Sequence, residues 1–139
     1  PMVPCAEHGV LRKALVDELW ARHARGELEV TVGHASDYFG PGAHLSVVAR
    51  PDVLRGIRRG SRVYMTGNIE TPHGYTYTPD VARALAVLGT RSEAVGRAWH
   101  LPTASTCTTR DFLRAFADRA GTTLKVWSKR VRVASPVAA

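Results

Sequence analysis

The sequence has few cysteines and no long apolar run. Its 139 residues include only two cysteines, Cys5 and Cys107, which are too few for a disulfide scaffold and make a reducing, cytoplasmic setting the default expectation. No apolar stretch approaches the roughly 18 residues of a membrane-spanning helix, and the N-terminal residues lack the pattern of a signal peptide. The sequence therefore predicts a protein without disulfides or membrane-spanning helices.

Several ligand-binding motifs are also absent. The start of a dinucleotide-binding G-x-G-x-x-G pattern occurs at Gly40-Pro41-Gly42, but residue 45 is leucine, and the proline stands where the backbone must approach a pyrophosphate. The sequence contains no P-loop and no G-x-S-x-G nucleophile elbow. Its histidines and cysteines, such as Cys5 and His8, do not have the spacing of metal ligands, so we expect no metal site.

Charge of one sign is in excess. Lys and Arg total 19 against 12 Asp and Glu, which gives a net charge of +7. Such an excess is a first indication of nucleic-acid binding, but the basic residues are spread along the chain, with patches only over 55–62 and 125–132. No zinc-finger, aromatic RNA-binding or zipper motif accompanies them. The pattern favours a solvated basic surface, with a basic nucleic-acid-binding domain left open as an alternative.

Hydrophobic periodicity predicts a single α/β domain over residues 1–139, since 45% of the residues are hydrophobic and the length suits one core. Two helix starts are marked by local signals: Thr78-Pro79-Asp80, and Thr108 with Asp111 three residues later, as in a capping box. Helices and strands are predicted to alternate, which favours a mostly parallel sheet. The predicted helices cover 10–25, 51–59, 78–88 and 109–120, the strands 28–32, 63–65, 98–101 and 124–127, and the main loops 36–42 and 67–74.

Three stretches, taken together, resemble a known family. Residues 35–42, Ala-Ser-Asp-Tyr-Phe-Gly-Pro-Gly, are similar to an R-x-S-D-x-Y-G-P-G segment, and residues 72–85 are similar to H-x-Y-T-Y-V-x-D-V-A-R-A-L. Residues 96–102, Gly-Arg-Ala-Trp-His-Leu-Pro, with Thr108-Thr109 further on, are similar to G-x-x-W-H-L-P followed by T-T. With this order and spacing, the chain resembles the NAD-dependent epimerase/dehydratase branch of the extended short-chain dehydrogenase/reductase superfamily.

The resemblance is to the C-terminal half of that family. It implies a partial Rossmann-like fold in which the nucleotide-binding half, with its glycine-rich turn, would lie upstream of Pro1. The chain opens on Pro1 without an initiator methionine, and a natural short protein, a disrupted gene product and an excerpt all stay open. The family's catalytic Tyr-x-x-x-Lys pair aligns with His8 and Arg12, where the chain departs from the pattern.

The resemblance also implies roles for individual residues. His8 and Arg12 would take the catalytic positions, with Arg12 also on the cofactor ribose. Ser36 and Asp37 would contact the cofactor, which would be NAD or NADP. The residues implied to line the substrate pocket are Tyr38, Phe39, His73 and Tyr75.

The expected function is hydride transfer at a hydroxyl or carbonyl carbon of a small-molecule or sugar-nucleotide substrate. The substituted catalytic pair and the absent cofactor half predict that this chain alone is impaired or inactive. A degenerate, non-catalytic binding module of the same fold is the first alternative, and the basic nucleic-acid-binding domain is the second. The family also implies a homodimer paired through the first helix, which would cover apolar surface.

Overall fold

The computed structural model describes residues 7–129, in which helices and short strands follow one another along the chain. The helices are α1 (Glu7–Ala24), α2 (Pro51–Arg58), α3 (Thr78–Gly89) and α4 (Thr109–Arg119), with a short 3-10 helix at Ser92–Ala94. The strands are β1 (Thr31–His34), β2 (Asp37–Phe39), β3 (Arg62–Thr66), β4 (Pro72–His73), β5 (Tyr75–Tyr77), β6 (Arg97–His100), β7 (Cys107–Thr108) and β8 (Lys125–Lys129).

The strands form four pairs. The pairs β1–β6, β2–β5 and β3–β8 are parallel, and β4–β7 is antiparallel. The predicted α/β class with mainly parallel pairing is therefore confirmed for the residues described. Among the helices of residues 7–129, none combines the length and the apolarity that a bilayer crossing needs.

The chain divides into two compact units. That these units belong to a single domain stays a prediction. Among the described residues, the first unit comprises 7–34 together with 82–101, and the second comprises 35–81 and 102–129. In the first unit, β1 pairs with β6 from Thr31↔Arg97 to His34↔His100. The predicted strand at 28–32 begins three residues and ends two residues too early, because its partner strand begins only at Arg97.

Helix α1 confirms the first predicted helix and ends where its sequence indicates. Gly26 takes the left-handed conformation with φ +72°, and its amide donates to the carbonyl of His23, which closes the helix as glycine commonly does. The apolar side chains of the helix remain outside the core, with Leu11 and Leu15 each 61% exposed. The pattern of i, i+4 leucines thus predicted a helix without fixing what its apolar face contacts.

The second unit has its core between the β3–β8 pair and two helices. Alternate residues of β3, Val63 and Met65, are buried, and they belong to one cluster with core residues of α2 and α4. The buried helix residues of that cluster are Val53, Ile57, Leu113 and Ala117. Helix α4 begins as the capping box predicts: the Thr108 hydroxyl accepts the Asp111 amide at 3.0 Å.

Two segments predicted as loops contain strands instead. The 36–42 segment includes β2, and the 67–74 segment includes β4, while β5 follows directly and was not predicted. These strands are two or three residues long, which is too short to show a period in the sequence. Their extended conformation depends on pairing with strands far along the chain. Strand β2 pairs with β5 from Asp37↔Tyr75 to Phe39↔Tyr77.

Candidate functional site

An imidazole–carboxylate pair lies in the second unit. The pairing of β2 with β5 places Asp37 beside Tyr75. His73 is the last residue of β4, the short strand that precedes β5 in the sequence. His73 Nε2 lies 2.9 Å from Asp37 Oδ2, and both side chains are about half exposed, at 46%. A carboxylate oxygen accepts hydrogen bonds, so the contact is one that an imidazole N–H donates. The pair therefore places an imidazole ring at a solvent-accessible edge.

Tyr75 connects this pair to the core. Its ring lies 5.2 Å from the His73 ring and 4.5 Å from that of Phe112 on α4. Its side chain is 2% exposed, and its hydroxyl is 2.7 Å from Thr109 Oγ1. Burial raises the pKa of the Tyr75 phenol, and this effect exceeds the opposite one of the hydrogen bond with Thr109. The neutral, buried ring of Tyr75 thus packs between the rings of His73 and Phe112.

We expect the stability of the second unit to decline as the pH rises above about 10, the ordinary tyrosine pKa. A raised native pKa means that the unfolded chain loses its proton first, so the unfolding free energy falls between the unfolded and native pKa values. Urea unfolding between pH 8 and 11 checks this. Tyr75→Phe should make the decline in unfolding free energy less steep, whereas Tyr38→Phe, at an exposed position, should not change the slope. Equal slopes for the two variants would show that Tyr75 does not cause the decline.

A cleft of about 500 Å³ lies beside the same strands. Its walls are the two aromatic rings that end β2 and β5, the first turn of α3, and the segment after residue 101, namely Phe39, Tyr77, Asp80, Pro102, Thr103 and Ala104. The Phe39 and Tyr77 rings are 5.2 Å apart, and Phe39 also packs edge-on against Phe112. The volume lies in the range of small-molecule pockets, which combine apolar walls with a few polar groups.

The residues implied by the resemblance fall in both units. His8 and Arg12 lie on adjacent turns of α1 in the first unit, and both are exposed. Ser36, Asp37, Phe39, His73 and Tyr75 lie together in the second unit, around β2 and β5. Tyr38 belongs to the same strand but is 46% exposed and on its opposite face.

Ser36 has a structural position in this arrangement. Its amide donates to Thr76 Oγ1 at 3.1 Å, and its hydroxyl donates to the carbonyl of Gly74 at 2.5 Å. Thr76 is fully buried, and its Oγ1 is also 2.9 Å from Thr103 Oγ1 on the wall of the cleft. Thr76 and Phe112 also support the site, and neither was predicted to do so, because the role of each depends on contacts with residues far along the chain.

No metal centre is formed by the part of the chain that the structure describes, which has no cluster of three or more histidine, cysteine, aspartate or glutamate side chains suited to an ion. Cys107 is a free thiol opposite His73 in the β4–β7 pair. The other cysteine of the sequence, Cys5, lies outside the described residues.

No family model and no curated protein matches the sequence, but solved structures match its fold. An epimerase from Methanothermobacter thermautotrophicus superimposes with a TM-score of 0.77 at 19% identity, over 94% of this chain and 43% of its own. UDP-glucose 4-epimerase from Thermotoga maritima, solved with UDP-glucose, gives 0.76 at 21% identity, over 94% and 42%. dTDP-glucose 4,6-dehydratase from Bacillus anthracis, in complex with NAD, gives 0.79 at 15% identity, over 94% and 42%.

These likenesses show the fold of the chain. The chain has part of the Rossmann-type α/β fold seen in epimerases and dehydratases, as predicted. The chain spans between 41% and 44% of the lengths of the solved structures that it matches. At identities of 14% to 21%, the agreement is one of architecture.

Proposed function

We propose that the chain is the C-terminal portion of an NAD(P)-dependent epimerase/dehydratase-like protein, and that its second unit binds the sugar of a sugar nucleotide. On this proposal the chain alone transfers no hydride. The observation that carries it is the cleft at the ends of β2 and β5, in a fold also seen in a UDP-glucose 4-epimerase and dTDP-glucose dehydratases.

The walls of the cleft suit a sugar ring. The Phe39 and Tyr77 rings offer apolar faces to the C–H groups of a pyranose, and the polar side chains of the walls are those of Asp80 and Thr103, whose hydroxyl also contacts Thr76 Oγ1. Among the residues that the structure describes, no lysine or arginine lines the cleft, so its chemistry matches the sugar better than the phosphates. His73, at the edge of the same strands, would meet the substrate outside the cleft.

The cofactor contacts implied for Ser36 and Asp37 stay predictions. The Ser36 amide and hydroxyl and the Asp37 carboxylate are all hydrogen-bonded within the chain. We therefore assign no step of hydride transfer to these residues.

The substituted catalytic pair supports the same view. His8 and Arg12 keep the four-residue spacing of a Tyr-x-x-x-Lys pair, and this spacing places them one turn apart on α1. A histidine exchanges protons near neutral pH, and an arginine keeps its charge, but its planar guanidinium does not reproduce an ammonium group. A proton-transfer role for His8, a ribose contact for Arg12, and pairing of two copies through α1 stay predictions.

We expect the chain to bind UDP-glucose or dTDP-glucose and Tyr77→Ala to weaken this binding about two- to tenfold, because an aromatic contact contributes about 0.5–1.5 kcal/mol. Isothermal titration calorimetry on the full chain measures the affinities. Leu45→Ala, which truncates a 98% exposed side chain, is the control and should bind as the unchanged chain does.

Titration with NADH, followed by its fluorescence, completes the experiment. The proposal expects no binding of NADH by this chain. Tight NADH binding would contradict the separation of cofactor and substrate parts, and equal affinities of the Tyr77→Ala and Leu45→Ala variants would remove the cleft as the sugar site.

A further inference from the structure

The β3–β8 pair has an outer face that the proposed function does not use. Side chains alternate along both strands, and those pointing away from the core are exposed. The register places them in three rows across the pair: Arg62 opposite Lys125, Tyr64 opposite Trp127, and Thr66 opposite Lys129. We call these six residues the aromatic–basic face.

Two large aromatic rings lie at the centre of this face. Tyr64 is 59% exposed and Trp127 is 52% exposed, with their rings edge-to-face at a centroid distance of 6.0 Å. The rise of about 3.3 Å per residue separates neighbouring rows by about 6.6 Å. An open aromatic surface therefore has cationic side chains within reach on both sides.

The charges of the face are not arranged for stability. Arg62 and Lys125 are directly opposite each other, and like charges in that position destabilise a strand pair. Neither strand carries an acidic residue, and none of Arg62, Lys125 and Lys129 forms an ion pair with another described residue. Within the part of the chain that the structure describes, the face thus presents exposed π surfaces and cations without an ion-pair partner, which together complement a ligand that is both aromatic and anionic.

We propose that the aromatic–basic face binds single-stranded nucleic acid. Unpaired bases stack on Tyr64 and Trp127, and the phosphates on either side contact Arg62, Lys125 and Lys129. Base-on-aromatic stacking combined with backbone cations is the general chemistry of such binding, and it accepts any base because every base has a π face. A membrane surface fits less well, since the face has no aliphatic side chain to insert into lipid.

This inference is independent of the sugar cleft. None of the six residues lines the cleft, and none belongs to the Asp37–His73 pair. Failure of one proposal therefore leaves the other standing, and variants of each site serve as controls for the other.

A fluorescence titration of the full chain with a 12-nucleotide oligothymidylate tests the proposal. Stacking on Trp127 should quench tryptophan emission. Three phosphate contacts predict a slope of about −2 for log K against log of the salt concentration, so affinity should fall about 20-fold between 50 and 200 mM NaCl. Lys125→Gln and Lys129→Gln should each reduce the slope by about 0.7, whereas Arg119→Gln on α4, with the same loss of charge, should not.

Aromatic variants separate stacking from folding. Trp127→Ala should weaken oligothymidylate binding about fivefold or more and abolish the quenching. Trp127→Phe should keep most of the affinity and lose only the quenching, and circular dichroism verifies that both variants fold. Tyr77→Ala should bind the oligonucleotide as the unchanged chain does.

Three results would overturn the proposal. Oligothymidylate binding by Trp127→Ala equal to that of the unchanged chain would show that the face does not stack bases. Uridine monophosphate bound through Trp127 as tightly as the 12-mer would make the face a mononucleotide site. Quenching of Trp127 by phosphatidylserine vesicles without any by the oligonucleotide would assign it to a membrane surface.

Discussion

Gly40→Ala should destabilise the second unit by at least about 2 kcal/mol. Gly40 has φ +114°, a backbone conformation that costs a residue with a side chain about 1–3 kcal/mol. A Cβ at this position would lie 2.6 Å from Tyr77 Cε2 and 2.8 Å from Thr78 Oγ1, and such overpacking costs about 1–3 kcal/mol more. Because Tyr77 forms a wall of the cleft, the same change should also weaken UDP-glucose binding.

Gly42→Ala is the matched control for this prediction. Gly42 also has a positive φ, +80°, but a Cβ there would meet no atom within 4 Å. Urea unfolding of the two variants separates backbone strain from the collision with Tyr77. We expect Gly40→Ala to be the less stable of the two; equal stabilities would mean that the Tyr77 ring moves aside freely and does not define the cleft.

The sequence predicted those elements whose signals are local. Helix α2 starts at Pro51 and α4 at the Thr108 cap, as expected, because the signals and the structure lie within the same four residues. Strands β2, β4, β5 and β7 escaped prediction because each has only two or three residues. Their conformation depends on a partner far along the chain, as Asp37 depends on Tyr75.

The candidate site shows the same division. The resemblance singled out Asp37 and His73 separately, but their hydrogen bond joins residues 36 positions apart and could not be read from spacing. Thr76 gave no chemical signal of its own, since a threonine between two tyrosines is an ordinary strand residue. Its importance comes from complete burial together with two hydrogen-bonding neighbours, which only the fold supplies.

Thr76→Val should cost about 1–3 kcal/mol of unfolding free energy, although it keeps the shape of the side chain. The valine removes the acceptor of the Ser36 amide and the hydrogen bond with Thr103, and a buried polar group left without its partner carries a penalty of that size. Ser36 directly precedes Asp37, and its hydroxyl holds Gly74, the neighbour of His73. Loss of the Thr76 hydroxyl should therefore loosen the Asp37–His73 pair as well as the core.

Thr76→Ser distinguishes the hydroxyl from the methyl group. It retains the acceptor for Ser36 and loses only a buried methyl, which costs about 1 kcal/mol, so stability alone does not separate the two variants. Hydrogen exchange of the Ser36 amide does: exchange should be at least fivefold faster in Thr76→Val and close to that of the unchanged chain in Thr76→Ser. An amide equally protected in both variants would show that the backbone of β2 and β5 holds Ser36 without Thr76. Acceleration in the valine variant alone would show that the Thr76 hydroxyl holds the Ser36 amide, next to Asp37 in the surface pair.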